Sequence, residues 1–543
     1  MEPTRSHSIG LSSLNNSLPG CYPGSPSSAS FLSGQRVAST ISSLVSLPCR
    51  LHRVISAPIS YHIPPVALTV GSPTLAAFSL ALTALNTRWA NERFSGIKYP
   101  NHKHALKALI YFQQIPLRVT TRDGLLASLV VLHENDDWWE CLVERLEQTY
   151  TWTIAAATSI AWVIIAFVFT IVDSLMDLGK DINANGQGVG TLWLWLVPIV
   201  VGWLWVPVSS HDKLKAAIER ANDIAFVAAP DTPSHANDPS KVDTPRHAFI
   251  VSHMQAVRIY KKKKVFTQDA ARVAPVFNYA RIWDWYSAVE TVAQAFENAD
   301  RKARRRVPVD PRREWVYTEG KRLHNHCDNR TGTIQQVQAY CGLTVQGNEE
   351  PVQPLPSGVW KRIFVASAFA LGLQWATTGS AAITVISTPT TGLGCRSGSY
   401  ILYGLISTMI WSALLLSSFL AHCAKMRHAH GDVPRFGFNS ANVARGLASF
   451  LRRLSTFAAV GNTLCIILAC VFQFSDFYST CYCNSSVLGR GAQYAFNVIA
   501  PGYDYDHMKA AWIGGIALAG GYVLVFLFAL HLMLESSSNT INS

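Results

Sequence analysis

The chain has 543 residues, 49% hydrophobic and only 15% charged, with a net charge of +12 from 46 Lys+Arg against 34 Asp+Glu. A soluble protein usually carries about 25% charged residues, so the deficit argues against an ordinary water-soluble chain and fits apolar spans joined by charged loops. Eleven cysteines are too few and too scattered for a disulfide framework, and no C-x-x-C pair occurs, which argues against a structural zinc site.

Residues 1–62 are rich in Ser, Pro and Gly without a continuous apolar run, and are expected to form a disordered tail. No acidic residue lies between Pro3 and Ala90, while Arg5, Arg36, Arg50 and Arg53 stand among many serines. That composition overlaps with mitochondrial transit peptides. A mitochondrial membrane is therefore the minor alternative to a plasma or secretory-pathway membrane.

Residues 63–87 hold the first membrane segment. It is uncharged from Val66 to Leu85 but interrupted by Pro73, which predicts a kinked span, with a re-entrant or interfacial helix as the alternative. Residues 88–149 form a cytosolic amphipathic region with apolar clusters at Leu106, Leu109, Ile110 and Phe112, then at 123–132. Trp138, Trp139, Leu142, Val143 and Leu146 follow at helical spacing. Tryptophans there suit the headgroup layer, so this region is expected to lie as a collar against the inner membrane surface.

Residues 150–208 form a transmembrane hairpin, with apolar runs Trp152–Val172 and Thr191–Val208. Each approaches the ~20 apolar residues that cross ~30 Å of hydrocarbon. Residues 209–360 form a basic cytosolic helical insert with a helix over His211–Ala228, a linker over Ala229–Pro245 and the cluster Lys261, Lys262, Lys263 and Lys264. A second helix, Val276–Arg306, repeats Phe277, Ala280, Trp283, Tyr286, Val289, Val292, Ala293 and Phe296 on one face and ends in Arg304, Arg305 and Arg306. Residues 361–533 contain four spans, roughly Ile363–Ile386, Tyr400–Ala421, Thr456–Phe474 and Ala510–Met533, before a tail at 534–543. The fold class is all-α: a polytopic transmembrane helix bundle of about seven spans, or six if 66–85 does not cross, with a cytosolic helical insert.

Orientation follows from retained positive charge. Residues 422–454 carry Lys425, Arg427, Arg435, Arg445, Arg452 and Arg453 against Asp432 alone, so 87–149, 209–360 and 422–454 are expected in the cytosol. Seven spans then leave the N-terminus outside; six leave both ends inside. Asn484 in a glycosylation sequon and Cys395, Cys481 and Cys483 fall in outer loops, where a Cys395 bridge to Cys481 or Cys483 is a candidate disulfide.

The polar groups are sparse. Asp173 and Asp177 share a helix face at the outer end of their span, where the dipole disfavours negative charge. With Arg396 they form a candidate outer-mouth cluster, set against a solvated turn with local pairing. Gln374, Asn462, Gln473 and His531 are the polar groups inside the spans. His324, His326, Cys327 and Asp328 could bind a metal or be an exposed loop. Small residues at four-residue steps, Ala368, Gly372, Ala376 and Ser380 in one span and Ala511, Gly515 and Ala519 in another, predict close helix packing within the chain or between copies. No H-E-x-x-H, G-x-S-x-G or P-loop occurs, so no catalytic residue, metal site or cofactor is assigned.

The stretches 185–204 and 392–404 resemble a group of multi-pass membrane proteins from filamentous fungi. The resemblance implies a helical membrane fold over 64–533 and carries no activity or site residues. The favoured function is transport or a channel with Asp173, Asp177 and Arg396 at its outer mouth, with a receptor or scaffold signalling through the basic insert as the alternative. The bilayer is the expected partner, with anionic inner-leaflet lipid at Lys261–Lys264 and Arg304–Arg306, and nucleic acid is not.

Overall fold

The computed structural model describes residues 63–121, 124–146, 154–176, 185–206, 211–229, 233–236, 248–251, 277–317, 326–343, 357–388, 393–429, 440–474 and 503–542. It is predominantly helical, and its apolar side chains gather into two cores, one in a long-helix bundle and one in a smaller mixed unit.

The bundle is built on α1 (Ile63–Gly71) and α2 (Pro73–Phe94). Around them stand α6 (Ile154–Met176), α7 (Asn185–Trp193), α8 (Leu196–Trp205), α12 (Ser357–Ile386), α13 (Cys395–Ala429), α14 (Ser440–Phe474) and α15 (Tyr503–Asn542). Five helical stretches are long and apolar enough to cross a membrane: Gln187–Trp205, Gly358–Ile386, Cys395–Met426, Ala441–Gln473 and Asp506–Glu535. Ile160–Val172 on α6 is a shorter apolar helix among the described residues. The sequence run Thr191–Val208 is not one smooth helix. Pro198 brings no amide for the Leu194 carbonyl, which takes the Val197 amide instead (3.2 Å), and the chain turns between α7 and α8. Helices α13 and α14 also run well into the segment expected as the loop 422–454, so Lys425, Arg445, Arg452 and Arg453 sit on helices, with only 430–439 outside the described residues between them.

Large apolar side chains on the outside of the molecule follow the bundle. Trp162, Phe169, Phe364, Met409, Phe457, Leu468, Leu524 and Phe528 are all more than half exposed or close to it, and among the described residues only Val307 and Tyr317 join the exposed large apolar side chains from outside the bundle helices. Helix α2 is the opposite case. From Pro73 to Ala84 every side chain is buried, which suits its run of Ala, Leu, Ser and Thr without a charge. A helix without a polar face can be packed on all sides. Two of its hydroxyls donate within the helix, Thr83 Oγ1 to Ser79 O (2.7 Å) and Thr87 Oγ1 to Thr83 O (2.9 Å).

The second unit joins both regions that the sequence separates as 88–149 and 209–360. It contains α3 (His102–Tyr111), α4 (Leu125–Val131), α5 (Asp136–Leu146), α9 (His211–Asn222), most of α10 (Ile282–Arg304) and α11 (Ile334–Cys341). Two short antiparallel ladders complete it, β1 (Leu117–Val119) with β4 (Phe249–Val251) and β2 (Phe226–Val227) with β3 (Ser234–His235). The helix expected over His211–Ala228 stops at Asn222, and its last residues pair as β2 instead. Trp138 and Trp139 do not lie on a membrane surface. Both are fully buried, with Trp138 stacked on Phe249 (5.7 Å) and Trp139 edge-on to Phe296 (5.8 Å), and the Trp139 indole N–H donates to Leu129 O (2.8 Å). The collar is the core of a folded domain. Helical spacing finds a buried face but does not distinguish protein from lipid as what covers it.

Two elements belong to both cores. Helix α2 leaves the bundle through Trp89, Arg93 and Phe94, and α10 enters it through the preceding turn, Phe277 to Arg281. They run side by side, with Trp89 stacked on Tyr286 (4.8 Å), Phe94 against Phe296 (6.3 Å), and Arg93 paired to both Glu290 (3.1 Å) and Glu297 (2.9 Å). The turn before α10 is pinned from both sides. Asn278 Nδ2 donates to Thr83 Oγ1 (2.9 Å) and Ser79 O (3.2 Å), and Ser418 Oγ of α13 donates to Tyr279 O (2.6 Å).

Candidate functional site

The polar centre of the bundle is set by Pro73. In an unbroken helix the carbonyls of Val70 and Gly71 would take the amides of residues 74 and 75. Here the Leu75 amide turns to Ser72, to its carbonyl (3.0 Å) and its side-chain oxygen (3.4 Å), and the helix divides into α1 and α2. The released carbonyls are met by side chains from two other helices: Tyr403 OH donates to Val70 O (2.6 Å) and Asn462 Nδ2 to Gly71 O (2.8 Å). Buried backbone without such partners would cost several kcal/mol in hydrocarbon, roughly.

A chain of hydroxyls continues from the break. Ser72 Oγ donates to Ser407 O (2.9 Å), Thr74 Oγ1 and Ser407 Oγ are 3.2 Å apart, Ser407 Oγ donates to Gln374 Oε1 (3.4 Å), and Gln374 Nε2 donates to Thr378 Oγ1 (2.7 Å). Gln374 lies 12 residues before Ile386, Ser407 12 after Cys395 and Asn462 12 before Phe474. At 1.5 Å per residue all three stand about 18 Å from one common end of the bundle. Among the described residues no carboxylate, amine or imidazole joins this network. It binds uncharged groups to uncharged groups and leaves the break at Ser72 closed by protein.

The close approach at the break has a steric condition. A Cβ on Gly71 would lie 2.2 Å from the Ala459 carbonyl oxygen, so α1 and α14 touch through backbone there. The small-residue stripes meet in part. A Cβ on Gly372 would overlap the Tyr522 ring, and one on Gly515 would fall 2.9 Å from Thr384 Oγ1, so α12 packs on α15 along the expected face. Among the described residues a Cβ on Gly461 or on Gly521 would meet nothing within 4 Å.

The residues expected to carry chemistry fall elsewhere. Arg396 is buried at the start of α13, and its guanidinium donates to the Thr388 carbonyl and Oγ1 and, at 3.4 Å, to Val385 O, the terminal carbonyls of α12. It serves as a cap on that helix end. The Asp173 side chain and Asp177 lie outside the described residues, as do Cys481, Cys483, Asn484 and Lys261, Lys262, Lys263 and Lys264. Cys395 begins α13, half-buried. Arg304, Arg305 and Arg306 are exposed at the end of α10 opposite the bundle, about 33 Å along the helix from Ile282. Arg304 is held by Asp300 (2.6 Å) and Gly96 O (2.8 Å), and Arg306 lies over the Tyr317 ring (5.3 Å). His326, Cys327 and Asp328 bring one ligand atom each within 4.8 Å at the surface, although His326 Nδ1 already accepts the Asp328 amide (3.4 Å); His324 lies outside the described residues. Of the polar groups noted within spans, Gln374 and Asn462 enter the central network, and His531 is exposed beside Glu535 (3.5 Å).

Sequence reading missed Ser72, Thr74, Tyr403 and Ser407. The usable signal was Pro73: a proline within a span releases carbonyls, and each needs a donor from a neighbouring helix. It also missed the contact of Lys425 with Asp284 (2.5 Å), where burial raises the carboxyl but the ammonium outweighs it and holds the group below its ordinary range. No family model matches the chain, and the searches of curated proteins and of solved structures found no match.

Proposed function

We propose that the chain is an integral multi-pass membrane protein that acts as a receptor or scaffold, holding a folded domain against the cytosolic face of its bundle. The observation that carries this reading is the sharing of α2 and α10 between the two cores. A displacement in the bundle has a direct route to the second domain through packed aromatic rings and the Arg93 ion pairs. The belt of exposed apolar side chains supports embedding in lipid. In this reading α1–α2 is one kinked span and α6 another, which with the five long apolar helices makes seven. Lys425, Arg445, Arg452 and Arg453 at the domain-facing end support a cytosolic domain.

Transport is the second reading, and it rests on the broken helix and its polar surroundings near mid-bundle. Discontinuous helices in transporters present unwound carbonyls to an ion or solute. Here Tyr403 and Asn462 occupy those carbonyls, and Arg396 is committed to a helix end, so the receptor or scaffold reading is preferred.

The test is reconstitution of full-length protein into liposomes with flux assays for monovalent ions and small solutes. No flux above protein-free liposomes is expected. Flux reduced by Asn462→Ala would overturn the preference. Carbonate washing tests the embedding separately, since a peripheral protein would be released to the supernatant.

A further inference from the structure

Two helices of the second domain end in the same way, and one of them lacks the residue that this ending favours. After α11 the Gly342 amide donates to Ala339 O (3.2 Å) and the Leu343 amide to Gln338 O (2.9 Å), with Gly342 at φ 67°. After α10 the Arg306 amide donates to Ala303 O (2.9 Å) and the Val307 amide to Lys302 O (3.1 Å), with Arg306 at φ 58°. This pair of bonds closes a helix through a left-handed residue, usually glycine, because a Cβ is disfavoured there. Among the described residues Asn101 is the other non-glycine residue at positive φ, and asparagine tolerates that conformation. The helix ending itself has no need of an arginine, so the strain points to a use for the side chain.

That side chain is laid on an exposed ring. The Arg306 guanidinium lies over Tyr317 (5.3 Å to the ring centroid), and its Nη1 donates to Tyr317 OH (3.4 Å). The intervening segment is closed by Asn329, which takes the Val309 amide on its carbonyl (3.1 Å) and exchanges side-chain bonds with Val316 N (2.9 Å) and O (2.8 Å). Tyr317 and Val307, 67% and 41% exposed, are the large apolar side chains exposed away from the bundle helices among the described residues. Arg301, Arg304 and Arg313 nearby in the chain are paired with Glu297, Asp300 and Asp310, but among the described residues no carboxylate pairs with Arg305 or Arg306.

Exposed tyrosine and arginine held in fixed positions are the side chains that dominate protein interfaces. The planar fork of a guanidinium matches a carboxylate. Val307 and the Tyr317 ring add apolar surface for which a nucleic-acid backbone has no counterpart. The site also stands about 33 Å along α10 from Ile282, at the end opposite the bundle, which separates it from the bilayer. We propose that Arg306, with Arg305, Val307 and Tyr317, docks an acidic segment of a protein partner, its carboxylates on the guanidinium groups and an apolar side chain against Val307 and the ring. This rests on the receptor or scaffold reading above and says where on the second domain the partner binds.

The experiment uses full-length protein in detergent at about 0.15 M salt. The probe is a fluorescein-labelled peptide of glutamates around a single leucine, followed by anisotropy beside the same peptide with glutamine for glutamate. The glutamate peptide is expected to bind about tenfold or more tightly, and Arg306→Gly to weaken it by about tenfold while the melting temperature stays level or rises. Arg306→Lys, which keeps the charge but loses the planar fork, is expected to fall between them. Equal binding of the two peptides overturns the site, as does unchanged binding in Arg306→Gly. A melting temperature lowered by more than about 2 °C in Arg306→Gly overturns it too, by making the residue structural. Arg220→Gln, on α9, removes one equal charge and is expected to leave the affinity within about twofold; an equal loss there would mean diffuse attraction to a basic protein. Oligothymidylate or phosphatidylserine vesicles that bind more tightly than the glutamate peptide, with the same dependence on Arg306, would replace the protein partner by nucleic acid or lipid. Failure of the receptor or scaffold reading is seen separately, as flux in the liposome assay.

Discussion

Arg330 is expected to be the most costly single side chain to remove from the second domain. Its side chain is 3% exposed, and it donates to Val131 O (2.7 Å), Leu132 O (3.1 Å) and both oxygens of Asp136 (2.8 and 2.6 Å), with the Tyr99 ring at 6.0 Å. Arg330→Ala leaves the Val131 and Leu132 carbonyls without their donor and removes the cation from a half-buried carboxylate that keeps only Asn101 and His133. Two stranded buried carbonyls at about 1–3 kcal/mol each, with the lost ion pair, put the cost at roughly 4 kcal/mol. With a urea dependence of about 2 kcal/mol per molar, the unfolding midpoint of the domain should fall by about 2 M. The assay is urea unfolding of full-length protein in detergent, followed by tryptophan emission, since Trp138, Trp139 and Trp285 are buried in this core. A midpoint that moves by less than about 0.5 M would refute the reasoning. The pH dependence supplies an independent check. Burial alone would raise the Asp136 carboxyl, but the hydrogen bonds and charge of Arg330 outweigh it and hold the group below its ordinary value. A depressed carboxylate contributes stability that is present above its unfolded pKa, about 3.9, and is lost as pH falls through the folded value. Asp136→Asn should therefore destabilise at neutral pH and flatten the loss of stability below about pH 4.

Three further outcomes follow from the bundle. Tyr403→Phe strands the Val70 carbonyl and should cost about 1–3 kcal/mol by thermal unfolding in detergent, with a smaller cost in a Pro73→Ala background, where a residue-74 amide can return to that carbonyl; equal costs in both backgrounds would sink the account of the kink. Gly71→Ala should lower the melting temperature by several degrees, because the new Cβ meets the Ala459 carbonyl, whereas Gly461→Ala, with nothing within 4 Å, should change it by no more than about 1 °C. A tag inserted near residue 435 should be shielded in intact cells and reachable after permeabilisation, and the reverse would invert the proposed orientation.

The long helices were legible because twenty uncharged residues leave few alternatives. Pro73 also announced its kink. What the kink required was not legible, since Tyr403 and Asn462 reach Val70 and Gly71 from more than 300 residues away in the chain, and no local pattern relates them. The second domain was split in two for the same reason. The amphipathic faces of 138–146 and 277–296 each promise burial, yet only the fold reveals that Trp139 and Phe296 bury each other. Arg396 changes its apparent role: expected at an outer mouth with Asp173 and Asp177, it is buried and closes a helix end.

The placement of α2 has a mechanical consequence. A helix packed on one face can slide or rotate by repacking a single interface. Helix α2 is buried all round from Pro73 to Ala84, so any displacement must repack several interfaces together. Its free end is not free either, because Trp89, Arg93 and Phe94 are anchored to α10. At Ser72–Pro73 helix hydrogen bonds are exchanged for bonds to side chains of other helices. A displacement of α2 would carry the second domain with it, because Trp89, Arg93 and Phe94 are packed on α10. Replacing that proline by alanine should accordingly stiffen the bundle, seen as slower amide exchange at residues 70–75, while leaving the exchange of α10 unchanged; faster exchange at 70–75 would mean that the proline braces the break rather than loosening it.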